Sequence, residues 1–457
     1  MKSDYKGLKC LAASGQLGYG IPKKAFLRGV QKKPDYIGVD MGSTDPGPHY
    51  LGSGKCACSD IGIKGDLDLV LSAALDLSVP LLIGSAGTAG AKPQVLKVVD
   101  MVKEIALEKN YKFKLAVIFS DIEKNIIKQG LTEGKVSPLT ENVGPLTEDL
   151  IKDSTNIVAQ LGVEPFVKAL QEKADVIIAG RACDTSMFAA YPIMKGYDRG
   201  LAIHMAKIVE CTSQCADPGG REAMMGYLFD NYFVVETQKL KSRCTPVSVA
   251  AHGLYEQPNP YIMYEPGGML NLKDCKYEWY SDTTTKVSGS KWITSENYTL
   301  KLEGAKKTGY RAISLGGVRD PIMISQIKEV CKRIEEIVIS LLSDHEYNVD
   351  YKIKFRVYGA DGVMEETEPN PEFIPQEMFI VTDVVAKNED LARAACGMAK
   401  QYLLHYYYPG ILATGGNLAI PFAPDVIQVG EVYEFTLYHL LSINNPLDYC
   451  KIEYIDV

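Results

Sequence analysis

Asp40, Asp45 and His49 fall within one short stretch that reads Asp-Met-Gly-Ser-Thr-Asp-Pro-Gly-Pro-His. Asp45 and His49 could exchange a proton as acid and base, and Asp40, Asp45 and His49 together could hold a divalent metal. Ser43 and Thr44 add hydroxyls that could bind a substrate. The plainer alternative is a long turn in which Asp and Ser satisfy nearby backbone groups. The length of the stretch, from Asp40 to Gly54, speaks for function, because long loops in compact domains usually have a task. Further on, Gly180-Arg181-Ala182-Cys183-Asp184-Thr185-Ser186 offers Arg181 as a fork for a carboxylate and Asp184 as a base. The same Asp184, Thr185 or Ser186 could instead cap the following helix. Cys183 has no recognisable His partner, so no thiolate nucleophile is assigned. Glu210 ends an apolar stretch where an unpaired carboxylate is costly to bury, and it is assigned to the site as a further acid–base group. Cys211 with Cys215, and Cys56 with Cys58, lack the spacing of a zinc site.

Two glycine-rich loops could turn backbone N–H groups toward an anion. One is Ser14-Gly15-Gln16-Leu17-Gly18-Tyr19-Gly20, followed by Pro22 at a helix start; Gly15, Gly18 and Gly20 are its candidate binding positions. The other is Gly84-Ser85-Ala86-Gly87-Thr88-Ala89-Gly90, with Ser85, Gly87 and Thr88 as candidates. Neither has the glycine order of a dinucleotide fingerprint or the Lys-Ser/Thr pair of a nucleotide-phosphate loop. Tight turning and close helix–strand packing are the plainer explanations.

What places these loops together is a run of short apolar strands. Strands are expected at 8–13, 35–39, 79–83, 113–119 and 175–179, with helices between them, including 66–77, 93–107 and 149–170. That alternation predicts a parallel, doubly wound sheet covered on both faces. Ligands bind outside the carboxyl ends of such strands, which is where the polar clusters lie. A β-rich stretch follows, with a strand expected at 246–251. The last third reads β-α-β-β-α-β, a ferredoxin-like α+β arrangement. The expected division is residues 1–225, an α/β glycine-loop substrate domain; 226–305, a β-rich segment; and 306–457, a ferredoxin-like α+β domain.

Composition bounds the function class. The 457 residues are 46% hydrophobic and 23% charged, as in globular proteins rather than disordered chains. A net charge of −8 without a basic run argues against nucleic acid. No apolar run is long enough for a membrane span, and the polar start has no signal-peptide core. Eleven scattered cysteines suggest reduced thiols, hence a cytoplasmic protein.

On these loops the sequence resembles the acyclic terpene utilisation family, named for AtuA. The segments that carry the resemblance are 15–20, 40–54, 84–90 and 180–184, with Tyr255-Glu256 and Tyr264-Glu265-Pro266-Gly267-Gly268, and it is expected over roughly the first 350 residues. It implies a catabolic enzyme for branched or unsaturated acids or their coenzyme A esters, without a settled set of catalytic residues. It also implies a further small domain in some relatives, so a separate small partner subunit is an expectation. The leading expectation is a lyase or hydratase acting on a small anionic carboxylate or acyl-CoA by acid–base chemistry. The alternatives are a hydrolase of an ester, amide or thioester, and a non-catalytic metabolite-binding or scaffold protein. No redox cofactor motif is present; a divalent metal and a homo-oligomer are both compatible with the sequence.

Overall fold

The computed structural model describes residues 7–344, 351–412 and 414–457. The chain forms two compact units, Met1–Lys306 with Phe435–Val457, and Lys307–Glu434. The first unit therefore contains both of the first two expected segments and takes back the end of the chain.

The first unit is built on a ten-stranded sheet. Its centre is five parallel strands in the spatial order Leu8–Ala12, Tyr36–Asp40, Leu81–Gly84, Val176–Ala179 and Lys114–Phe119. These are the five expected strands. The sheet as a whole is mixed, however, which corrects the expectation of a parallel one. Met224–Leu228, Tyr232–Thr237, Thr284–Ser288 and Lys276–Ser281 extend one side antiparallel. Lys451–Asp456, which the sequence reading did not anticipate, closes the other side against Lys114–Phe119.

Alternate residues of a strand point to opposite faces, and both faces here are apolar. Cys10, Ala12, Leu82, Ala116 and Ile177 meet the helices Glu164–Gln171, Ser186–Met194 and Arg199–Val209. Leu11, Ile37, Val39, Ile83 and Val117 meet Lys23–Val30, Asp60–Leu77 and Lys92–Lys109. Burial on both faces explains why these strands read as continuous apolar runs.

Three expected elements differ. The stretch 149–170, expected to be filled by helices, holds two, Glu148–Asp153 and Glu164–Gln171, with a strand Asn156–Gln160 between them. The strand forms because Asn156–Gln160 pairs with Lys301–Ala305, a partner remote in sequence. The strand expected at 246–251 is a helix, Pro246–His252. Thr245 caps it, accepting from the Ser248 backbone N–H at 2.9 Å, and Pro246 occupies its first turn. The loop expected from Asp40 to Gly54 contains a short helix, Pro48–Ser53, and the helix expected at 66–77 already opens at Asp60. The middle stretch otherwise holds the antiparallel strands above and a three-stranded sheet of Ile262–Glu265, Gly268–Asn271 and Lys291–Thr294.

In the second unit the elements run β-α-β-β-α-β as read from the sequence. Its strands lie in the order Tyr351–Tyr358, Met378–Ala386, Tyr298–Val318 and Val426–Ile443, the last two continuing outside the unit. Helices Ile327–Asp344 and Glu389–Leu404 pack Ile334, Val338, Ala395 and Ala399 into its core. No helix among the described residues is long and apolar enough to cross a membrane.

Gly90 ties two strand ends of the first unit together. It sits at φ +70, and a Cβ there would lie 2.0 Å from the Arg181 backbone nitrogen. A clash with backbone cannot be relieved by a rotamer change. Gly90→Ala is expected to cost about 2 kcal/mol or more, read as a lower urea midpoint with an unchanged slope.

Candidate functional site

A cleft of about 330 Å³ lies over the carboxyl ends of three strands of the parallel core, two adjacent and the third one strand beyond them. Ser14, Gly15 and Gln16 follow the strand Leu8–Ala12; Asp40, Gly42, Ser43 and Asp45 end and follow Tyr36–Asp40; Asp184 follows Val176–Ala179. The wall is completed by Glu210, Cys211 and Gln214 beyond the helix Arg199–Val209, and by Arg221, Tyr255 and Glu256. A larger groove of about 890 Å³ lies in the second unit. Its basic groups are already paired, Lys354 with Glu365 and Arg356 with Asp383. The strand-end cleft has instead five carboxylates and one arginine on its wall.

These carboxylates differ in setting. Asp40 is 3% exposed, and its Oδ1 accepts from the Met41 N–H at 2.9 Å. Burial, with the nearby negative charge of Asp184, pushes its carboxyl well above the usual carboxylate range. Asp184 reaches solvent, with 31% of its side chain exposed. Glu210 is buried; burial raises it, against the opposing pull of Lys207, whose Nζ donates to Oε1 at 2.7 Å. Lys207 is itself buried, yet its carboxylate neighbours, Glu210 foremost, outweigh burial and keep it charged. Beside Asp184, the half-buried Glu265 accepts from Thr185 Oγ1 at 2.8 Å and Cys183 Sγ at 2.9 Å. Burial lifts its carboxyl to about 7 despite those hydrogen bonds. The Cys183 thiol is pushed well up by burial and by Glu265.

Arg181 does not offer its fork to the cleft. It is 3% exposed, its Nε donates to Glu303 Oε2 at 2.8 Å, and Nη1 donates to the Ala182 carbonyl at 2.9 Å. Nη1 also reaches Ser85 Oγ at 3.3 Å and Asp184 Oδ1 at 3.4 Å. Glu303, fully buried on the strand Tyr298–Val318, further accepts from Thr44 Oγ1 at 3.0 Å and pairs with Lys301 at 2.8 Å. The expected substrate ligand is thus an internal brace joining the loops at 44, 85 and 181.

Several other expected positions are likewise occupied from within. The N–H groups of Gly18 and Gly20 do turn toward an anion, but it is Asp66 Oδ2, at 2.8 and 3.0 Å. In the third loop, Ser85 and Thr88 are buried, and the Gly87 carbonyl accepts from Gln94 Nε2 at 3.1 Å. His49 sits on the helix Pro48–Ser53 with its ring edge against Tyr50. Of the expected site residues, Gly15, Ser43, Asp45, Asp184 and Glu210 line the cleft; Gly18, Gly20, Thr44, His49, Ser85, Gly87, Thr88 and Arg181 do not. Asp45 is oriented by Ser43, whose Oγ donates to Oδ2 at 2.7 Å. Nor are Asp40, Asp45 and His49 gathered as metal ligands. Among the described residues the one such cluster is Glu210, Cys211 and His252, whose ligand atoms lie within 4.8 Å of one another.

Lys207, Arg221, Glu256 and Glu265 are not among the site residues expected from the sequence. Lys207 carried a signal, since a residue three before Glu210 shares its helix face. Arg221, over the ring of Tyr19, carried none.

The brace makes a pH-dependent prediction. Burial works against the charge of Glu303, but Arg181 and Lys301 outweigh it and hold its carboxyl down to about 2, from an ordinary 4.5. Its stabilisation is therefore complete above pH 4.5 and is lost as pH falls toward 2. Glu303→Gln should lose about 3–5 kcal/mol at pH 7. Its thermal midpoint should also fall less steeply than the wild type's across that acid window.

The comparisons with known proteins add one relationship. No curated protein and no solved structure matches the chain. The family described as acyclic terpene utilisation family protein AtuA matches residues 70–224 and 230–434. The match begins after the first two loops that carried the resemblance and runs well past residue 350, into the second unit. With most of its length so matched, the chain belongs to the acyclic terpene utilisation family AtuA.

Proposed function

We propose that the first unit is a lyase or hydratase that adds or removes water, or another small group, at a small carboxylate or its acyl-CoA ester. The observation that carries this reading is the pairing of two unlike carboxyls on one cleft. Asp40 is buried and pushed to hold its proton, and Asp184 is solvent-reaching and close enough to raise it. Carboxyls whose environments drive their proton affinities apart are suited to act as acid and base in one reaction. In this reading Asp184 takes a proton from the substrate, Asp40 supplies one to the leaving group, and Glu265 is a reserve for proton exchange. Arg221 replaces Arg181 as the anchor for a substrate carboxylate, because it is the arginine on the cleft wall. Hydrolysis through Cys183 is disfavoured, since its thiol is pushed well above the range that yields a thiolate. The strand order of the second unit supports reading it as a ferredoxin-like domain.

The test is incubation of the protein with unsaturated acids, 2-hydroxy acids and their coenzyme A esters in deuterated water, followed by NMR for hydration and solvent-proton exchange. Turnover of a member of the panel is expected. Asp184→Asn should slow it by about 10²–10⁴-fold while the same ligand still raises the melting temperature. Arg221→Ala should instead weaken that thermal shift. A ligand that stabilises the protein but is neither hydrated nor exchanged would favour a metabolite-binding role.

A further inference from the structure

Glu210 is the C-terminal cap of the helix Arg199–Val209, Cys211 is the next residue, and His252 ends the helix Pro246–His252. Two helix ends thus bring together an oxygen, a sulfur and a nitrogen ligand within 4.8 Å of one another. Acidic clusters are common without a metal, but this one has a second feature. His252 is only 7% exposed, and its Nε2 has no hydrogen-bond partner. Buried polar atoms are almost always paired, so an orphaned nitrogen on a ring that meets a carboxylate and a thiol calls for a ligand. Its ring is stacked on Tyr255 at 5.6 Å, which fixes the plane of the imidazole.

Both oxygens of the Glu210 carboxylate are engaged, one of them only by a thiol proton that a metal would displace. Lys207 takes Glu210 Oε1, and the Cys211 thiol donates to Oε2 at 3.0 Å. The proton of Cys211 therefore occupies the side of the carboxylate that a metal would use. Glu210 and Cys211 also face the cleft, with Asp184 and Glu256 on the same wall to favour a cation. A set of one imidazole, one thiolate and one carboxylate suits a borderline-soft ion such as Zn²⁺, which takes three protein ligands and keeps a fourth position open where it acts on a substrate.

We infer that Glu210, Cys211 and His252 form a binding site for one divalent transition-metal ion of the Zn²⁺ type, open on its fourth side to the cleft. On binding, the S–H bond of Cys211 breaks, its proton leaves to solvent, and the thiolate, the Glu210 carboxylate and a His252 ring nitrogen each donate a lone pair to the ion. No electron is transferred. The site stands independently of the reaction class proposed above.

The experiment uses the full chain, stripped with a chelator, loaded with a small excess of Zn²⁺, desalted and assayed for bound metal. One zinc per chain is expected in the wild type and in Cys450→Ser, a control at a thiol outside the cluster. Cys211→Ser and His252→Gln, each checked for native circular dichroism, should retain none. Loading with Co²⁺ should give a thiolate-to-cobalt absorption band in the wild type that is missing from Cys211→Ser. Should one variant fail to fold, the other still decides, because each removes a different ligand. The inference is overturned if the wild type keeps no more zinc than the folded variants, or if the cobalt band persists without Cys211. Neither readout requires turnover, so failure of this site and failure of the lyase reading are distinguishable.

Discussion

A guanidinium and a carboxylate buried side by side are expensive to desolvate, and the cost is met only when each finds further partners. Arg181 and Glu303 meet that condition: the arginine reaches Ser85, a carbonyl and Asp184, and the glutamate reaches Thr44 and Lys301. Three strand-end loops and the strand Tyr298–Val318 thereby share one polar network. The position of Asp184 depends directly on this network, and Asp184 in turn sets the charge felt by Asp40. The arrangement of the cleft leans on a pair that does not itself line it.

Crowding several acids on one wall forces each to find its own accommodation. Asp40 is pushed well above the usual carboxylate range by burial, Glu210 takes an internal lysine, and Asp184 remains in contact with water. Identical functional groups become chemically distinct because burial and neighbours differ over a few ångströms. Such differentiation is costly to stability and is retained where a site needs groups of unequal basicity.

Much of this arrangement was legible in the residues. The five parallel strands announce themselves as apolar runs, and the rule that ligands gather at their carboxyl ends points to Gly15, Ser43, Asp45 and Asp184, while the cost of burying an unpaired carboxylate points to Glu210. What was not legible is pairing across distance. Arg181 looks like a substrate fork until Glu303, 122 residues later, is brought against it. Gly18 and Gly20 look like an anion loop, and physically they are one, but the anion is Asp66 of the same chain. His252 was hidden by reading 246–251 as a strand, although Thr245-Pro246 with Ser248 is the pattern of a capped helix start. The mixed character of the sheet was hidden because an antiparallel edge strand such as Lys451–Asp456 carries no local mark of its partner.

That last strand has a consequence for how the molecule is made. Lys114–Phe119 lies at the margin of the parallel core until Lys451–Asp456 arrives to cover it, more than three hundred residues downstream. During synthesis the second unit, Lys307–Glu434, emerges as an uninterrupted segment, while the first must wait with an open hydrogen-bonding edge. Such non-local closure is slow, and an unpaired apolar strand in the interval invites association with other chains. The edge of Lys114–Phe119 stays open until residues 451–456 are free to pair with it, and a chaperone that shields strand edges would act in that interval.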